Sequence, residues 1–147
     1  MYGLVLILHI LGATIWTGGH LILALTVLPV ALKAKAPEAL LRFEPQYERI
    51  GLPALLVQVI TGIWLAHNLV PDFSQWADLY NPVTRLILLK LSLLLITVLF
   101  AADARIRVFP KLTKHNLKSM SFHIIAVTIL SVLFVVVGVS FRTGWLY

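Results

Sequence analysis

Between Gly3 and Leu32 the chain runs about thirty residues without one Asp, Glu, Lys or Arg. An uncharged stretch of that length matches a membrane crossing and exceeds a soluble core helix. Hydrocarbon offers no water to the backbone, so such a stretch must be helical. Two titratable rings, His9 and His20, sit inside it. Eleven residues at 100° each bring them onto one helix face, roughly 16 Å apart along the axis. Gly12, Ala13 and Trp16 share that face. Polar rings inside a span are costly and mark a candidate site.

The whole chain has the same character. Of its 147 residues 60% are hydrophobic and 12% charged, with a mean hydropathy of +0.95. That composition places it among integral membrane proteins, as a single domain over residues 1–147 with the lipid bilayer as its first partner. The absence of cysteine excludes disulfides, thiolate metal sites and iron–sulfur clusters. Met1 and Met120 are the two thioethers, too few for a relay of sulfur ligands. The net charge of +6 does not indicate a nucleic-acid partner, because the basic residues flank apolar spans and form no solvated face. Met1 abuts the first span with no basic segment before it, which reads as a retained helix and not a removable signal.

Four spans can be read, at about 3–32, 50–70, 83–104 and 119–141. A basic, proline-containing segment follows the first, with Arg42, Phe43, Glu44 and Glu48 suited to a surface helix on the membrane interface. Residues 71–82 form a turn-rich loop with Trp76 and Tyr80 as interfacial aromatics. The expected fold is all-α, a four-helix transmembrane bundle running up-down-up-down. Lys33, Lys35, Arg42, Arg49, Arg105, Arg107, Lys111, Lys114 and Lys118 lie on one side, against Arg85 and Arg142 on the other. By the positive-inside rule the first group is cytoplasmic, and both termini face outward. In a bacterium that means a multi-pass protein of the inner membrane with periplasmic termini.

Depth ranks the remaining polar groups. His9 and His67 fall near the outer boundary, His20 in the inner half, and His123 at the inner boundary. His115 falls in a basic loop and is expected to be solvated. Two cross-helix pairs follow, His9 with His67 and His20 with His123. Facing neutral imidazoles in an apolar slot suit bis-histidine ligation of haem b, one or two groups, and imidazole also suits copper. Simple hydrogen-bonded packing is the structural alternative for each ring. Lys90, two turns into the third span, costs about 2.5–3.5 kcal/mol unless paired or snorkelling. It is a candidate for holding an anionic group such as a propionate. Arg85 at the boundary reads as an anchor or a second such cation. Trp16 packs against a cofactor or the bundle core, and Asp103 joins an ion cluster with Arg105 and Arg107. Gly18 and Gly19 permit close approach of a neighbouring helix.

The stretch His9-Ile-Leu-Gly-Ala-Thr-Ile-Trp16-Thr-Gly18-Gly19, followed by Leu28-Pro29, resembles the first helix of the copper-resistance protein D (CopD) domain. Arg42-Phe43, Thr61-Gly62, Arg85 and Leu89-Lys90 are similar as well. The histidine seven residues before a tryptophan and the third-helix lysine also resemble HemJ-type protoporphyrinogen oxidases, which are compact four-span haem proteins. The resemblance implies a four-helix fold with His9 as a haem ligand and Lys90 as a functional lysine. The fourth span lacks the Asn-Glu-x-Pro pattern of the HemJ type, and the chain is poor in the methionines a copper carrier would use. His67 belongs to neither pattern.

The function expected from these readings is electron transfer within or across the bilayer by a haem-b protein. His9 and His67 would be its ligands, and a redox partner or quinone its counterpart. A copper transport or resistance permease using the same histidines is the alternative from another class. A HemJ-type porphyrinogen oxidase is the enzymatic one. Glycine- and alanine-containing faces would permit a homodimer. The charge asymmetry gives a direct prediction of topology: a C-terminal reporter that is active only outside the cytoplasm should be active, and activity of a cytoplasm-only reporter would invert the orientation.

Overall fold

Each uncharged stretch must close its hydrogen bonds within itself, and each does so as a helix. The computed structural model describes residues 1–146, and all regular structure among them is helical. Four helices are long and apolar enough to cross a membrane. They are α1 (Tyr2–Ala34), α2 (Glu38–Leu69), α3 (Pro82–Asp103, continued by tighter and looser turns to Lys111) and α4 (Leu117–Thr143). Asn81 starts α3 by accepting from the amides of Val83 and Thr84, with Pro82 in the first helical position. Gly144 ends α4 in the left-handed region at φ 71°.

Neighbours in sequence are antiparallel. Along α1 and α2 the contacts run Tyr2 with Trp64, His9 with Thr61, Gly12 with Gln58, and Gly19 with Tyr47. Along α1 and α4, Thr17 donates to the carbonyl of Ser131 and Thr128 to that of His20. The fully buried Ser131 keeps that seam narrow. α3 pairs with α4. The bundle is thus two hairpins joined along α1 and α4, and α2 and α3 do not pack closely on each other. Leu4, Ile7, Ile60, Leu95, Leu99 and Ile129 stay exposed on the outer faces, as a bilayer-facing surface requires.

Both helices that carry a late proline open by one residue just before it. The amide of Leu28 reaches the carbonyl of Leu23, ahead of Pro29, and that of Phe109 reaches Ala104, ahead of Pro110. A proline lacks the N–H and crowds the carbonyl four residues back. A π turn relieves that crowding. The two π turns lie at the end of the bundle that carries the basic loops, called the basic end here.

The expected surface helix at residues 42–48 is not separate. It is the start of α2, whose 32 residues run unbroken through Pro45 and Pro53. At roughly 48 Å, α2 outruns a hydrocarbon core of about 30 Å. Composition made this segment look like a connector, whereas tertiary packing holds it helical. Leu40 is fully buried with Leu28, Ala31, Leu117 and Met120 in the larger hydrophobic cluster.

At the opposite end the α2–α3 loop carries the expected aromatics. Trp76 donates to the carbonyl of Val70, and Phe73 stacks on His67. Ser74, through its hydroxyl and its amide, holds the Asp72 carboxyl below the usual range. That turn is firmest above the ordinary carboxylate range and loosens as pH falls through the lowered value.

Gly12 sets the spacing of the first hairpin. A Cβ there would lie 2.9 Å from the Ala54 carbonyl oxygen and 3.2 Å from Cβ of Gln58. Gly12→Val should therefore cost about 1–3 kcal/mol through overpacking. A lower melting temperature in detergent is the expected outcome, and an unchanged one would show that the hairpin can spread freely.

Candidate functional site

Because α2 and α3 stay apart, a cavity of about 360 Å³ opens between them at the basic end. α2 supplies one wall with Gly51, Leu52 and Leu55, and α3 the other with Thr97, Val98 and Ala101. α1 and α4 form the floor, with Trp16 and His20 from the first and Met120 and His123 from the last. Glu44, Glu48 and Arg105 stand at the rim. The walls are apolar, and the chemistry is concentrated on the floor and rim.

His20 is buried, and its Nδ1 lies 2.9 Å from the carbonyl of Trp16 one turn back. A carbonyl only accepts, so Nδ1 carries the proton and Nε2 keeps its lone pair. Tyr47 closes the other side. Its hydroxyl donates to the same carbonyl at 2.9 Å and sits 3.2 Å from His20 Nδ1. The imidazole is edge-on to the Tyr47 ring at 5.4 Å and tilted against Trp16 at 4.4 Å. The indole N–H of Trp16 is buried with no partner among the described residues. Met120 is buried and lines the same cavity nearer the basic end, since α4 meets the His20 carbonyl at Thr128.

His123 is differently occupied. Nδ1 donates to the Ser119 carbonyl at 2.8 Å, and Nε2 lies 2.8 Å from an Asp103 carboxylate oxygen. Both partners accept, so both ring nitrogens are engaged by the protein and neither is open to a metal. The other Asp103 oxygen pairs with Arg107 at 3.0 Å. Arg105, expected in that cluster, turns instead to α2 and bridges Glu44 at 3.3 Å and Glu48 at 3.2 Å. It reaches them from the π turn before Pro110, lying over the ring of Phe109. This double ion pair spans the gap between α2 and α3.

The outer half of the bundle holds the other expected residues. His9 donates from Nδ1 to the Gln58 carbonyl and to the Thr61 hydroxyl oxygen, both at 3.0 Å, and its ring lies against Gly62. Nε2 again keeps the lone pair. Lys90 is within electrostatic reach of His9. Its ammonium rests against Gly138 and 5.5 Å from the Phe141 ring centroid. The ion pairs among the described residues do not include Lys90. Arg85 and His115 are exposed.

The expected pairs of imidazoles do not form. Gln58, which His9 touches, and His67 are nine residues apart on α2 and so half a turn out of phase. His67 is exposed and stacked on Phe73. His20 and His123 do meet at one cavity, yet His123 has given both nitrogens to protein acceptors. A bis-imidazole haem site therefore does not fit the residues in this arrangement, and no metal cluster of three or more His, Asp or Glu side chains occurs among the described residues.

Tyr47 was not singled out from sequence as the partner of His20. Gly19 was the available signal, as its missing Cβ makes room for the Tyr47 ring.

Comparison with known families bears on residues 41–141, which match the family model described as copper resistance protein D. The chain belongs to the copper resistance protein D family. The match spans α2 to α4 and includes Tyr47, Lys90, Arg105, Met120 and His123, whereas α1 lies outside it. No curated protein and no solved structure matches the chain. This family membership, with four apolar helices, makes it a multi-pass membrane protein related to copper resistance.

The Arg105 bridge predicts how the basic end behaves. Both ion pairs are partly exposed, so Arg105→Gln should cost less than about 1 kcal/mol in stability. Spin labels on the basic ends of α2 and α3 should nonetheless show a longer and broader distance distribution. An identical distribution would mean that the bridge does not hold the gap.

Proposed function

We propose that this member of the copper resistance protein D family handles copper as the monovalent ion inside the bacterial inner membrane, with its basic end cytoplasmic. The ion is substrate here, held in the cavity between α2 and α3 with His20 Nε2 as its protein ligand. The observation carrying this reading is that an apolar cavity holds a buried imidazole whose Nε2 no protein acceptor takes. Imidazole is a ligand of copper, and apolar walls favour a weakly hydrated ion over a strongly hydrated one. The fixed Nδ1 bond to a backbone carbonyl is the outer contact that metal-binding histidines usually make. Glu44 and Glu48 add negative potential at the rim, offset by Arg105.

The test is a titration of the protein in lipid nanodiscs with monovalent copper against a chromophoric chelator. The wild type should bind stoichiometrically, and His20→Ala should weaken binding more than about tenfold. Equal affinity in His20→Ala would overturn this site. A strong Soret band in the protein as purified would favour the haem reading instead.

A further inference from the structure

We infer that Tyr47 is the positioning residue for His20, fixing which imidazole nitrogen faces the cavity and at what angle. The inference rests on the reading of His20 as a copper ligand, although its geometry stands apart from the metal. Tyr47 is held on two sides by the absence of side chains. A Cβ on Gly19 of α1 would overlap the Tyr47 ring, and one on Gly51 of α2 would lie 2.8 Å from its Cζ. The ring thus fills a slot that two glycines leave between the helices, and Phe43 stacks on it at 5.7 Å. Little freedom remains for the phenol to swing.

From that slot the hydroxyl meets two atoms. It donates its proton to the Trp16 carbonyl, which leaves its oxygen lone pairs as the group facing His20 Nδ1 at 3.2 Å. His20 Nδ1 is therefore bracketed by two acceptors, a carbonyl at 2.9 Å and a phenol oxygen. Both ask for a proton on Nδ1. The tautomer with a lone pair on Nε2 rests on the two acceptors acting together, and the edge-on contact with the Tyr47 ring fixes the imidazole plane. Because the phenol proton is committed to Trp16, Tyr47 acts through His20 and not as a ligand. One residue on α2 thereby sets the aim of a ligand on α1.

The test uses protein labelled with ¹⁵N-histidine in nanodiscs, with the His20 signals assigned from their loss in His20→Asn. Wild type should show Nδ1 protonated and Nε2 unprotonated at His20. Tyr47→Phe keeps the ring in its slot and removes only the hydroxyl. It should let the other tautomer appear and weaken monovalent copper binding by about tenfold at unchanged stoichiometry. Gly51→Ala keeps the hydroxyl but displaces the ring, and should give the same tautomer change. An unaltered tautomer in Tyr47→Phe would overturn the inference, whatever the copper result. A shifted tautomer in a protein whose wild type takes no copper would uphold the positioning role and reject the copper reading.

Discussion

The close approach of α1 and α2 is the contact on which the rest of this structure depends. In lipid, helices gain little from burying apolar surface against one another, since the tails are equally apolar. Association relies instead on close packing and on hydrogen bonds between helices. Here glycines supply the closeness. Gly12 admits the α2 backbone, Gly19 and Gly51 admit the Tyr47 ring, and Gly62 admits the imidazole of His9. Each histidine on α1 has an acceptor, His9 at Gln58 on the facing helix and His20 at Trp16 one turn back, under the Tyr47 hydroxyl. Without that spacing His9 would be a polar ring stranded in hydrocarbon, and His20 would lose the Tyr47 hydroxyl.

The second hairpin is built on different terms. α3 and α4 meet through Leu86, Leu93, Leu130 and Val137, and the hairpins are joined by Thr17, Thr128 and Ser131 along α1 and α4. Nothing comparable ties α2 to α3 along their length. The gap becomes a cavity, and the charges at its rim become its closure. Arg105 can reach Glu44 and Glu48 because the π turn before Pro110 projects it from the last turns of α3. A helix defect that proline imposes thus places the cation that spans the opening.

The basic-end cavity is lined by helices inside the family match and by one outside it. The matched region covers three of the four helices that line it. His20 and Trp16 come from the helix outside that match, and their roles rest on hydrogen bonds and burial alone. The outer group of His9, Gln58, Thr61 and Lys90 forms a second polar level on the same helices. It lies against Gly62 and Gly138 instead of in the cavity.

Sequence alone determined the membrane class, the four helices and their alternation, because hydrocarbon permits few alternatives and an uncharged run must be a helix. It also placed His9 and His20 on one face of α1, since 3.6-residue periodicity is a local property. Partnership across helices was decided only by the tertiary structure. Depth suggested His9 with His67, but helix phase turned His67 outward onto Phe73. Depth also suggested His20 with His123, and they do reach one cavity. There Asp103 and Ser119 claim both nitrogens of His123, while Trp16 and Tyr47 flank His20. Rotation about a helix axis and the distance between two axes depend on every residue packed between them, so neither can be read from the spacing of two histidines.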